Sequence, residues 1–136
     1  MIAVMRRISA IATAAVLASI APVSAQSLKE LRAREGEERA LSAEAAFTGK
    51  VCGDDISASI DWSSVRDWPA GASIASACGG ALSAVETVCR RGRKAFVRRF
   101  VCAGDGAGPR LSGSTLRYGA SPGRNGFAET KSYLGN

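Results

Sequence analysis

No histidine occurs among the 136 residues. Its absence excludes Ser-His-Asp and Cys-His catalysis, the common zinc and non-haem iron ligand sets, and the usual general base near neutral pH. A Ser-x-x-Lys nucleophile motif is absent as well. Aromatic residues make up only 6% of the chain. A small core therefore needs the few large rings it has, and Trp62 and Trp68 in DWSSVRDW are read first as packing residues. The alternative use of that pair, stacking on a sugar ring beside Asp61 and Asp67, falls to Trp68 as the more exposed of the two. No internal repeat divides the sequence. Beyond residue 25 no run is apolar enough to cross a bilayer.

The first residues, MIAVMRRISAIATAAVLASIAPVSAQ, place Arg6 and Arg7 before an Ala-rich apolar run that ends in Val23-Ser24-Ala25. That order is the signature of a secretory signal peptide over residues 1–25, with Gln26 leading the mature chain. The run is shorter than the ~20 apolar residues of a membrane span and is interrupted by Ser19 and Pro22. Removing Arg6 and Arg7 from the 18 basic residues leaves 16 against 12 acidic, so the mature chain is moderately basic at +4. The expected location is the periplasm or the extracellular space.

Cys52, Cys78, Cys89 and Cys102 all follow the signal. An even number of cysteines in an exported chain reads as two disulfides, and the wide spacings lack the paired short knuckles of a zinc site. If Cys78 and Cys89 share a helix they stand three turns apart, beyond the roughly 7 Å that a disulfide tolerates between Cα atoms. The pairing read from the sequence is Cys52–Cys78 with Cys89–Cys102. A helix broken at Gly79-Gly80 would reopen the choice.

Residues 26–46 are dense in alternating charges and helix formers, with Leu28, Leu31 and Leu41 as the only large apolar side chains. They form a charged leader, helical or mobile, with a break expected at Gly36. Residues 47–136 form the domain. Within it ISASIDW alternates strictly, placing Ile56, Ala58, Ile60 and Trp62 on one face of a strand. A helix entrance is read at Asp67-Trp68-Pro69. ALSAVETVCRRG then carries helical spacing to its end, where Arg90 and Arg91 oppose the helix dipole and Gly92 accepts a left-handed turn.

RKAFVRRFVCAG fits a helix by periodicity and a strand by context; it is assigned a helical turn near 92–95 and a strand from about Val97 to Ala103. RLSGSTLRYGA forms two short strands around Gly113-Ser114, and the tail adds a short helix taking Phe127 and Tyr133 into the core. The order of elements predicts a small α+β domain, an antiparallel sheet of about four strands with helices on one face, stapled by two disulfides.

The sequence offers no cofactor site. GDGAGP, residues 104–109, lacks the Gly-Lys-Ser/Thr ending of a phosphate-binding loop and reads as a hairpin loop. Asp54, Asp55, Asp61 and Asp67 are the carboxylates an enzyme would use, but turn and surface roles account for each.

The densest feature is CRRGRKAFVRRFVC, with six cations between two cysteines. Arg90 and Arg91 have a helix-end role, which leaves Arg93, Lys94, Arg98 and Arg99 as the candidate surface for an anionic envelope component or an acidic protein. Export argues against nucleic acid as the partner. The competing reading is a solvated face with both phenylalanines packed inward. The function expected is therefore a non-enzymatic binding or accessory protein. The alternative is a small inhibitor of a secreted or envelope hydrolase presenting residues 104–110, and a carboxylate enzyme stands third. Nothing in the sequence sets an oligomeric state.

Overall fold

The protein is described from a computed structural model covering residues 25–135. The signal peptide read over 1–25 lies outside the described residues but for Ala25.

Helix α1 runs from Ala25 to Cys52 without interruption. Gly36 costs about 1 kcal/mol relative to alanine in a helix interior, and the good helix formers around it outweigh that penalty. The break expected there is absent, and the boundary expected after Ala46 falls inside the helix. Leu41, Ala45 and Thr48, at helical spacing, are buried. The turns before them, 27–36, are exposed along their length.

After β1 (Ser57–Ile60) and a 3₁₀ turn (Trp62–Val65), helix α2 spans Ile74–Arg90. It starts later than the expected entrance at Pro69, because Ser73 supplies the cap: its hydroxyl accepts from the Ser76 N–H at 3.1 Å. A second cap comes from α1. Glu37 accepts from the Ser73 hydroxyl at 2.9 Å and from the Ala75 N–H at 2.7 Å, setting a carboxylate at the positive end of α2. The C-terminus matches expectation, with Arg90 in the last turn and Gly92 at φ +79°.

The sheet corrects the antiparallel expectation. Its order is β1-β2-β4-β3, with β2 at Arg99–Ala103, β3 at Gly108–Ser112 and β4 at Thr115–Gly119. β1 pairs parallel with β2, and β2 parallel with β4; only β3 and β4 are antiparallel. Helix α2 is the crossover that lets β1 and β2 run the same way. Residues 104–107 then carry the chain two strand positions across, and β4 returns into the gap. The β3–β4 hairpin around Gly113-Ser114 is where the sequence placed it.

Phe100, Cys102, Leu116 and Tyr118 point from the sheet into one core with Leu41, Ile74, Leu82, Val85 and Val88 of the helices. Ser57, Ser59, Arg99, Arg110 and Ser112 alternate with these residues and are exposed, so one face of the sheet is left open. The alternation read for ISASIDW holds through Ile60, but Trp62 leaves the strand for the 3₁₀ turn. Helix α3 (Phe127–Leu134) closes the chain. Its Tyr133 is exposed rather than in the core, and the hydroxyl accepts from the Leu111 N–H at 2.7 Å.

The disulfides are Cys52–Cys89 and Cys78–Cys102. Both cysteines of α2 do sit on one helix and do not pair with each other, but the pairing expected from sequence is wrong. The reason is the alignment of α1 with α2. Glu37 meets the start of α2, and Cys52 meets its end, so the helices run side by side in the same direction. Cys78 lies a turn into α2, on the face that meets Cys102 of the central strand.

Candidate anion-binding end of the domain

Beyond Gly92 the chain crosses one end of the domain before entering β2. Ala95 and Val97 are both buried, and the residue between them is turned outward. Phe96 has φ +57°, the only non-glycine residue in the left-handed region among those described, and is 66% exposed. A bulky side chain in this conformation is a genuine outlier, about 1–2 kcal/mol above the ordinary backbone wells. The chain that follows is held in place. Arg98 and Arg99 both donate their N–H groups to the Ser114 carbonyl, at 2.8 and 3.1 Å, and the Arg98 carbonyl accepts from the Ser57 N–H at 3.0 Å.

The four cations singled out from the sequence separate here. Arg93 donates to the Gly135 carbonyl at 2.8 Å and so ties down the end of α3. Lys94 and Arg98 flank Phe96 around a cavity of about 320 Å³ that also touches Asp54, Gly113 and Ser114. Arg98 stands 3.8 Å from Asp54, a long contact between largely hydrated groups. Arg99 leaves the strand on the open sheet face, in register between Ser57 and Thr115. Neither Lys94 nor Arg99 has an acidic partner among the described residues. The structure thus brings Lys94 and Arg98 to Phe96, leaves Arg99 on the open sheet face and assigns Arg93 elsewhere. Of the two nearby cations, Arg90 is paired with Glu86 at 2.7 Å, and Arg91 stays exposed.

Sequence reasoning placed both phenylalanines together, inward or at the partner. They divide: Phe100 is fully buried and Phe96 points out. The alternation of Ala95 and Val97 around Phe96 was the available signal. A second basic group on the open face, Arg110 opposite Arg117, was also missed. Arg117 is already engaged, 2.7 Å from Asp105 and 3.8 Å from Asp61. The hydrogen bond from Arg117 is the main reason the Asp105 carboxyl is held below its usual range.

The tryptophans occupy a different place. Both are half-buried and line a cavity of about 560 Å³ between α1 and residues 65–74. Trp62 donates to Glu38 at 2.8 Å with the Arg34 guanidinium over its ring, and Trp68 donates to the Gly104 carbonyl at 2.9 Å. Each ring thus joins two segments, and Trp68 is not the free member of the pair. Residues 104–107 are similarly clamped: Ser64 accepts from the Gly104 N–H at 2.8 Å and Ala120 from the Gly106 N–H at 3.0 Å.

Among the described residues no group of three acidic or cysteine side chains could hold a metal, and no helix is long and apolar enough to cross a membrane. No family model, curated protein or solved structure matches the chain.

Proposed function

We propose that this protein is an exported, non-enzymatic binding or accessory protein that takes an anionic partner at the end of the domain formed by Lys94, Phe96, Arg98 and Arg99. The two disulfides fit an oxidising periplasmic or extracellular location. The signal-peptide pattern of residues 1–25 supports export through a cleaved leader.

The observation that carries the reading is the exposed, strained Phe96 between Lys94, which has no acidic partner among the described residues, and Arg98, whose contact with Asp54 is long. Strain of this kind persists where the surroundings over-determine it, and it concentrates at ligand-contacting segments. A merely solvated face has no use for an aromatic ring held outward against its backbone preference. Lys94 and Arg99, which have no acidic partner among the described residues, give up no ion pair when an anion arrives, and Arg98 gives up only a long contact with Asp54.

The test is binding of the mature protein to phosphatidylglycerol vesicles, lipopolysaccharide and polyphosphate across a salt series, beside a variant carrying Lys94→Gln, Arg98→Gln and Arg99→Gln. Each cation near an anionic surface contributes about 1 kcal/mol, so the triple variant should bind about a hundredfold more weakly. Its salt dependence should also be shallower. Equal, salt-independent binding by both proteins would overturn the reading.

A further inference from the structure

From the geometry at Phe96 we infer that the anionic partner is a lipid surface, and that Phe96 enters it as an apolar wedge beneath a collar of cations. This rests on the anionic-partner reading and goes further by naming the surface. Three features converge. Phenylalanine has no polar atom, so its outward ring gains nothing from a hydrated polyanion beyond stacking, but gains its full transfer energy where headgroups meet acyl chains. The wedge is a single residue on a braced loop, with Ala95 and Val97 buried on either side and the next two N–H groups bonded to Ser114. Little order remains to be lost on insertion. Finally, Lys94 and Arg98 share the cavity beside the ring. Their long stems let the charged ends reach phosphates while the ring goes deeper.

Asp54 belongs to the same cavity and opposes an anion. Its separation of 3.8 Å from Arg98 leaves that guanidinium free to turn outward.

A nucleic acid or other soluble polyanion is the rival occupant, and the ring decides between the two. The experiment measures the oxidised protein, its Phe96→Gly variant and the Lys94/Arg98/Arg99→Gln variant on three probes: vesicles of phosphatidylethanolamine with phosphatidylglycerol, vesicles of phosphatidylcholine alone, and polyphosphate with single-stranded DNA in solution. Expected is tight binding of the native protein to the anionic vesicles only. Phe96→Gly should lose about ten- to a hundredfold there, the worth of burying one phenyl ring. Hydrogen exchange on the native protein should slow at residues 93–99 when anionic vesicles are added, a readout that needs no variant.

Vesicle binding by Phe96→Gly within about twofold of native, or unchanged exchange at 93–99 with vesicles bound, would overturn the wedge and leave the anionic reading intact. A matching loss on single-stranded DNA would do the same, transferring the ring to base stacking. Absence of native binding to every probe would remove both.

Discussion

Replacing Phe96 by glycine should separate stability from binding, and the size of each effect follows from the structure. The ring is 66% exposed, so about a third of a side-chain area of roughly 200 Å² is covered, on the order of 70 Å². At about 25 cal/mol per Å² its loss costs at most ~1.7 kcal/mol, and nearer 1.3 once residual burial in the unfolded chain is counted. Glycine adds about 0.5–1 kcal/mol through the entropy of the unfolded chain. Relief of the left-handed conformation returns about 1–2 kcal/mol. The terms nearly cancel, so urea unfolding should place the variant within about 1 kcal/mol of the native protein. Phe100→Ala, four residues on and fully buried, should cost about 3–5 kcal/mol in the same assay. A loss above about 2.5 kcal/mol for Phe96→Gly would mean that the ring packs into the fold, and the argument from strain to function would fail.

The other expectations concern the frame and its charges. Non-reducing peptide maps should join Cys52 to Cys89 and Cys78 to Cys102. From loops of 37 and 24 residues, removing either bridge should cost about 3–4 kcal/mol. Glu37→Ala should destabilise by about 2 kcal/mol in urea unfolding, because it removes two charge-assisted hydrogen bonds at the start of α2, and an unchanged midpoint would mean α1 is not docked there. Asp54→Asn should strengthen binding to anionic vesicles by several-fold at low salt, since it takes away the carboxylate that shares a cavity with Lys94, Phe96 and Arg98. Burial, then the hydrogen bond to Glu129, raises the Tyr118 phenol above its ordinary value of 10.0. The folded chain keeps this proton after the unfolded chain has lost it. Stability from Tyr118 is therefore complete below pH 10 and falls as pH rises beyond it. A melting midpoint followed from pH 8 to 11 should show that fall, and Tyr118→Phe should flatten it.

Elements governed by local rules were legible in the sequence. The alternation in ISASIDW located β1, the Arg90-Arg91-Gly92 ending located the C-terminus of α2, and Gly113-Ser114 located the hairpin. Features that depend on how elements align were not. Parallel pairing of β1 with β2 follows from the crossover through α2, and β4 reaches the sheet interior only because 104–107 overshoot one position. The cysteine pairing depends on α1 and α2 running in the same direction, which no spacing reports. The docking of α1 was hidden for a different reason. Its contacts with the 3₁₀ turn and with α2 are made by Glu37, Glu38 and Arg34, and a search for apolar periodicity does not register a helix that attaches through charged side chains.

The basic run between Cys89 and Cys102 shows why counting charges could not identify a site. Arg90 pairs with Glu86 one turn away, Arg91 caps α2, and Arg93 holds the carbonyl of Gly135. Half of the six cations are thus accounted for within the fold or at a helix end, as the reading of a solvated face requires. The remaining three differ in what they surround rather than in charge. Arg99 lies on the open sheet face, while Lys94 and Arg98 flank a residue whose neighbours on both sides are buried and whose own ring is exposed in a costly conformation. Ala95 and Val97 on either side of Phe96 are in the core, and the N–H groups of Arg98 and Arg99 are bonded to Ser114. The exposure of the ring between these held neighbours, more than the density of arginine, is the observation on which the proposed anion-binding reading rests.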